Sequence, residues 1–329
     1  MLDVSVIVDG ATLVFPKSTH TAVVGPPACG ASTLLRVIAG DVRGGAVSIG
    51  ARDVSALRRA KRPLLYATSA LDAPERWSLR HLLIAAVRAR TLDREDRHHE
   101  YELAVDKWQL GELLGRPLRA LSSTERTRAN LARIELLKPA ILVADRLLEL
   151  ANPSVLPKLA DDFHRTLRVA GTTVIAAPSS RVELGLCDRV VVLDRGRVVQ
   201  EGVPSRVFGA PASEAAAMAT GDVNVIPIEI RGRSVTSPIG AWEAETSFEG
   251  GGVALARPDD FVIAGKGEDS DLIFGVEEGS FHDGRWHLSG ILTGGLILRI
   301  VVPRDTAVHK GKLFPLRYDP ARFRLLPRL

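Results

Sequence analysis

Residues 25–33 read Gly25-Pro26-Pro27-Ala28-Cys29-Gly30-Ala31-Ser32-Thr33. Loops that cradle nucleotide phosphates follow G-x-x-x-x-G-K-[ST]: backbone amides wrap the phosphates, the lysine meets their charge, and the hydroxyl binds magnesium. Gly25, Gly30, Ser32 and Thr33 keep this spacing, and Ala31 stands where the lysine belongs. Cys29 fills a small-residue position in the loop. An isolated match of this kind is weak, so its flanks decide. Residues 20–24 are a short apolar run ending at Gly25, as a buried strand would be. Residues 32–39 are apolar at helical spacing up to Gly40, a natural C-cap. Strand, loop and helix in that order form the setting in which the pattern holds a phosphate.

Outward from the loop, strand patterns are expected at 2–8, 46–49, 140–144 (ending in Asp145), 172–177 and 188–194. Helical patterns are expected at 79–90, 100–114, 122–138 and 157–169, with a charged connection at 93–100. Alternating strands and helices predict an α/β fold on a parallel sheet. Near residue 210 the composition changes. Residues 210–221, rich in Ala, Pro, Ser and Gly, read as a linker. Short strands follow at 223–230, 252–256, 272–276, 285–292, 296–302 and 312–318, a pattern for a small all-β barrel or sandwich. The expected organisation is a domain over 1–209 with a helical subdomain at about 72–120, the linker at 210–221, and a β domain over 222–329.

Hydrophobic residues make up 46% of the 329 and charged residues 25%, which excludes wholesale disorder. The net charge of +4 suits an anionic ligand or surface. Two cysteines, Cys29 and Cys187, do not build a disulfide framework, which points to a reducing compartment. The N-terminus has no signal-peptide pattern, and no apolar stretch approaches the roughly 18 residues that span a bilayer. A soluble cytoplasmic protein able to dock on a membrane partner is expected. Arg80, Arg88 and Arg90 read as a helix's wet face, and His98 and His99 as solvated, so no nucleic acid is expected as a partner.

The order of segments resembles the ATPase subunits of ATP-binding-cassette importers, in particular the maltose, sulfate, polyamine and iron type with its C-terminal β regulatory domain. Residues 25–40, GPPACGASTLLRVIAG, are similar to that family's phosphate loop and first helix. Residues 46–62 resemble the approach to its glutamine loop. Residues 121–139, LSSTERTRANLARIELLKP, resemble its signature motif and helix. Residues 188–208 resemble its late strands, and 253–262, VALARPDDFV, its regulatory domain. The resemblance implies a P-loop NTPase cassette with a helical subdomain, followed by a small OB-like β domain. It implies ATP and Mg²⁺ as cofactors, with phosphate contacts from Gly25, Cys29, Gly30, Ala31, Ser32 and Thr33. Ser32 and Asp145 would serve the metal, and Ser122 would face a partner's γ-phosphate. It implies membrane permease subunits and a second cassette as partners, with 79–118 as the permease-docking lobe, at the inner face of the cell membrane.

The departures follow one direction. The signature LSGGQ is Leu121-Ser122-Ser123-Thr124-Glu125 here. The catalytic glutamate after Asp145 is Arg146, the switch histidine aligns with Pro178, and the glutamine with Ser69. The aspartate after the second phosphate motif aligns with Asn152. The family's opening segment, with the aromatic that stacks on adenine, is missing, as if the chain began near the third strand. A guanidinium stays protonated and cannot polarise a water. Glu149 is out of register by three residues. Pro178 offers neither an imidazole nor an amide. Hydrolysis is therefore expected to be impaired by orders of magnitude, while loop amides from Ala28 onward, Ser32 and Asp145 keep a binding function. Ser122 also reads as an N-cap with Glu125 completing a capping box, a role compatible with a partner contact. Three functions are carried forward: a degenerate ATPase subunit paired with a competent paralogue, a slow but working ATPase, and a non-transport scaffold or regulator.

Overall fold

Strand runs such as ILVAD and TVIAA are apolar on both faces apart from one end residue each, Asp145 and Thr173, which suits a sheet covered on both faces. A computed structural model describes residues 3–265, 270 and 272–328; residue 2 of the first expected strand lies outside them. The chain divides into Met1–Ser205 and Arg206–Leu329. The first unit runs β1 (Val4–Val8), β2 (Ala11–Phe15), β3 (His20–Val24), α1 (Ala31–Ala39), β4 (Val47–Ile49), β5 (Arg52–Asp53) and β6 (Leu65–Thr68). It continues through α2 (Leu79–Arg88), α3 (Arg94–Lys107), α4 (Ser123–Leu137), β7 (Ile141–Asp145), α5 (Leu156–Val169), β8 (Thr173–Ala177), α6 (Arg181–Gly185), β9 (Arg189–Asp194) and β10 (Arg197–Gly202).

The central sheet has the order β10-β9-β3-β8-β7-β6. Its strands are parallel except the edge strand β10. Side chains alternate across a strand, so each face has its own core. Leu142 and Ala144 of β7 pack with α2, α3, α4 and α5, whereas Ile141 and Val143 pack with α1 and a four-stranded antiparallel sheet, β2-β1-β4-β5. The cassette is thus a parallel sheet between a helical layer and a layer of α1 with the smaller sheet.

One expectation for this unit is corrected, the helix boundaries of α3. Two strands, β1 and β2, precede the phosphate-loop strand β3. Asp9 and Gly10 close the β1–β2 hairpin with φ of 48° and 81°, the left-handed pair that a two-residue hairpin turn requires. The turn carries no aromatic, and the hairpin's one aromatic, Phe15, is fully buried. The segment 93–100 is the start of α3 rather than a connection. Asp93 caps it by accepting from Asp96 N, and Glu95 and Asp96 complement the positive end of the helix dipole. The helix then stops at Lys107, short of the expected 114.

In the second unit, α7 (Pro204–Gly209), which begins just before the boundary, and α8 (Glu214–Thr220) precede β11 (Asn224–Arg231), β12 (Ser234–Ser237), β13 (Gly240–Glu243) and β14 (Gly250–Ala256). Then come β15 (Phe261–Ile263), β16 (Leu272–His282), β17 (Arg285–Leu292), β18 (Ile297–Pro303), β19 (Leu313–Tyr318) and β20 (Arg324–Pro327). Two antiparallel sheets result, β13-β12-β11-β14-β20 and β15-β19-β16-β17-β18, in an all-β, OB-like arrangement. β11 buries alternate residues, Ile226, Ile228 and Ile230, in a core shared by both sheets. The expected linker at 210–221 is largely α8. Its Ala215, Ala216 and Ala217 are buried, and Arg257 of the β domain donates to Ala217 O and to Thr220 Oγ1 at 3.0 Å each. Alanine is the best helix former, so the composition that reads as linker also reads as helix once a surface covers it.

Candidate phosphate and magnesium site

Parallel strands of this kind present their ligand-binding ends where their carboxyl termini meet the following loops. Gly25, Ser69, Arg146 and Pro178 each directly follow β3, β6, β7 and β8, four adjacent strands of the sheet. The structure therefore brings the loop, the aspartate and three of the altered positions to one edge.

The loop turns tightly. Cys29 N donates to Pro26 O at 3.0 Å, and Gly196 N donates to Cys29 O at 2.9 Å, tying the loop to the β9–β10 turn. Cys29 is buried, and its side chain packs over Gly25. A Cβ built at Gly25 would stand 2.1 Å from Leu193 O and 2.6 Å from Cys29 Cβ. Gly30 takes φ 101° as the N-cap of α1, and Ala28 takes φ 65°, in the left-handed region that a glycine occupies without cost. Ala31 opens α1 and contributes only a methyl group; the first turn holds no acidic residue to oppose an anion. Thr33 is exposed on that turn.

Ser32 Oγ donates to Asp145 Oδ1 at 2.8 Å, joining the first turn of α1 to the end of β7. Tyr66 Oη donates to the other oxygen, Asp145 Oδ2, at 3.1 Å. Burial, and then the negative charge of Asp145, push the Tyr66 phenol up to about 12, so it stays a donor at neutral pH. Sequence reading missed Tyr66. The signal was a hydroxyl-bearing aromatic in the apolar run before the glutamine-loop position. A hydroxyl and a carboxylate held together are the hard oxygen donors that magnesium takes alongside phosphates and water. These residues fit Mg²⁺ bound to a nucleotide phosphate. Among the described residues, no group of three or more His, Cys, Asp or Glu could hold a metal.

Arg146 and Pro178, the positions expected from the resemblance to serve hydrolysis, lie at the ends of β7 and β8. Arg146 adopts φ 51°, its amide donates to Ala177 O at 2.9 Å, and its guanidinium pairs with Glu149. Glu149 is thereby held by a cation rather than presented as a base. After Pro178, the Ser179 and Ser180 hydroxyls both donate to Glu183 Oε1, at 2.7 and 3.2 Å. Burial raises the Glu183 carboxyl above its ordinary range, and these donors partly offset that. Both serine hydroxyls are thus committed to Glu183. Ser69 follows β6, whose last carbonyl, Thr68 O, accepts from Asn130 Nδ2 of α4 at 2.8 Å.

Ser122 caps α4. Its hydroxyl accepts from Glu125 N at 3.3 Å and its amide donates to Glu125 Oε2 at 2.7 Å, completing the capping box. Asn152 N donates to Thr124 Oγ1 at 3.2 Å, which holds the loop after β7 to the start of the signature helix.

A family model described as ABC transporter matches residues 8–148. The sn-glycerol-3-phosphate import ATP-binding protein UgpC of Rhizobium meliloti (strain 1021) is 28% identical, over 78% of this chain and 74% of its own. The sulfate/thiosulfate import ATP-binding protein CysA 2 of Chromobacterium violaceum is 29% identical, over 97% and 91%. A solved structure titled as the ATP-binding subunit of an ABC transporter superposes with a TM-score of 0.55 at 19% identity. It covers 63% of this chain and 92% of that one, a likeness of fold. With the phosphate loop, the Ser32–Asp145 pair, the signature helix and the β domain in place, this chain belongs to the ABC transporter ATP-binding family.

Proposed function

We propose that this chain is the ATP-binding subunit of a solute importer that holds Mg·ATP and hydrolyses it little or not at all. The observation that carries the reading is the coexistence of an intact Ser32–Asp145 pair, 2.8 Å apart, with Arg146 and Pro178 at the two positions where hydrolysis needs a base and an imidazole. Phosphoryl transfer is mostly positioning and charge stabilisation. The loop amides and α1 supply positioning, Ser32 and Asp145 hold the magnesium, and Tyr66 orients Asp145. Among the described residues, Arg146 at the β7 end is paired with Glu149, and Ser179 and Ser180 beyond the β8 end are committed to Glu183.

The relatives named for glycerol-3-phosphate and for sulfate import support the importer reading. In this reading the chain sits on the cytoplasmic face of the membrane, beneath permease subunits that contact its helical layer. No helix of the described residues is long and apolar enough to cross the membrane itself. A second, competent cassette completes the ATPase: its phosphate loop faces this chain's Ser122, and this chain's Ala31 loop forms the silent half.

Calorimetry of Mg·ATP binding, alongside a phosphate-release assay, tests the reading. Micromolar binding that is lost in Asp145→Ala, with turnover at background, is the expected result. No binding up to millimolar ATP overturns it. So does turnover by the isolated chain that scales with protein and disappears in Asp145→Ala.

A further inference from the structure

The family's loop lysine is gone, yet the edge where the phosphates would lie is not without a cation. Of the residues that directly follow the five parallel strands β3, β6, β7, β8 and β9, Arg146 after β7 and Arg195 after β9 are the charged ones, and Arg146 is the one beside Asp145. The only basic residue of α1 is Arg36, in its last turn, where its charge acts on Tyr66. Lys has become Ala at one end of the site and Glu has become Arg at the other, and the two changes keep the site positive.

Resting on the nucleotide-binding reading above, we propose that Arg146 is this chain's phosphate clamp, doing from the end of β7 what the lysine would do from α1. Three observations carry it. Asp145, its neighbour in sequence, touches Ser32 on the first turn of α1, so Arg146 stands one residue from the metal pair. Its backbone is held in the left-handed region at φ 51° with its amide fixed on Ala177 O, an unusual conformation for a residue with a long side chain. Among the described residues its guanidinium pairs with Glu149, three residues on, with side chains 57% and 39% exposed. Exposed pairs of this kind hold weakly and are screened by salt. A terminal phosphate carries more charge than a carboxylate and accepts a guanidinium fork through two parallel hydrogen bonds. The same residue explains silence and binding together: a permanently charged group holds a phosphate and cannot activate a water.

The test is calorimetric binding of Mg·ATP, Mg·ADP and AMP to the full chain and to variants whose melting temperatures match it. Arg146→Ala is expected to weaken ATP by about tenfold or more and AMP hardly at all, as loss of a charge-assisted phosphate contact would. Arg146→Lys recovers part of the loss. Ala31→Lys added to Arg146→Ala recovers most of it. Glu149→Gln, which removes the competing carboxylate, tightens ATP. Arg195→Ala, the control at the cation that follows β9 and precedes Gly196, whose amide is tied to Cys29 O, leaves binding unchanged. If the unaltered chain binds no nucleotide, the nucleotide-binding reading fails and this proposal with it. If it binds and Arg146→Ala binds equally well, or Arg195→Ala takes the loss instead, the proposal alone is overturned.

Discussion

At the scale of single residues, space and charge are decided by neighbours far away in sequence. Gly25 has room for hydrogen only, because Leu193 O lies 2.1 Å from where a Cβ would go, and a backbone carbonyl cannot rotate aside. Gly25→Ala should destabilise the cassette by roughly 2 kcal/mol or more, read as a lower denaturant midpoint, and should abolish ATP binding. A second residue-scale device lies in the core. His20 Nδ1 and His164 Nδ1 are 2.8 Å apart, joining β3 to α5. Burial, chiefly, holds both imidazoles well below their usual range. For each, Arg168 adds to that and Asp188 opposes it; His164 also lowers His20, and Asp161 raises His164. Above about pH 6.5 these histidines are neutral folded or unfolded, and stability does not depend on them. As pH falls below that, the unfolded chain binds protons that the folded chain refuses, so stability drops by up to about 1.4 kcal/mol per unit per histidine. Asp188, held below its ordinary range, loses its own contribution only in more acid solution. The denaturant midpoint should therefore fall between pH 7 and pH 5, and a His20→Leu/His164→Leu double variant should flatten that slope. An unchanged slope would show that the pair is protonated in the fold.

At the scale of elements, α4 links the signature position to the sheet. Ser122 and Glu125 start it, Asn130 anchors the end of β6 through Thr68 O, and Thr124 receives the amide of Asn152. Ser122→Ala should cost about 1 kcal/mol and raise hydrogen exchange in the first turn of α4, while leaving the phosphate loop's exchange unchanged. The legible elements were those whose period alone decides them, such as β7, β8 and α5. α3 was misplaced because its first two turns are charged all round and carry no apolar stripe; only its cap, Asp93, marks the start. α8 was hidden for the opposite reason: small apolar residues look featureless until a surface buries them.

At the scale of the whole molecule, the cassette keeps the parallel sheet, phosphate loop and signature helix of its family, and in the proposed reading Arg146 and Pro178 stand where hydrolysis needs a base and an imidazole. Restoring one residue should not restore the reaction. Ala31→Lys is expected to tighten ATP while phosphate release stays at background, because Arg146 and Pro178 still leave no base and no imidazole. Losses of groups that act together are not additive, so a single repair recovers little. Turnover raised about a hundredfold in that variant, the size of one transition-state donor, would show that the lysine alone was limiting.

The sequence by itself determined the α/β order, the phosphate-binding loop and the β-rich region after it. Those follow from periodicity and from the spacing of Gly25, Gly30, Ser32 and Thr33, which are local, and the order of segments carried the resemblance to the family. Only the tertiary structure decided that Tyr66 holds Asp145, that Glu149 is bound to Arg146, that Glu183 takes up the serines beside Pro178, and that a hairpin precedes β3. The physical reason is that these partnerships depend on which strand ends the sheet places side by side. Strand order and crossover are set by burying both faces of the sheet at once, and no single segment of the chain encodes that.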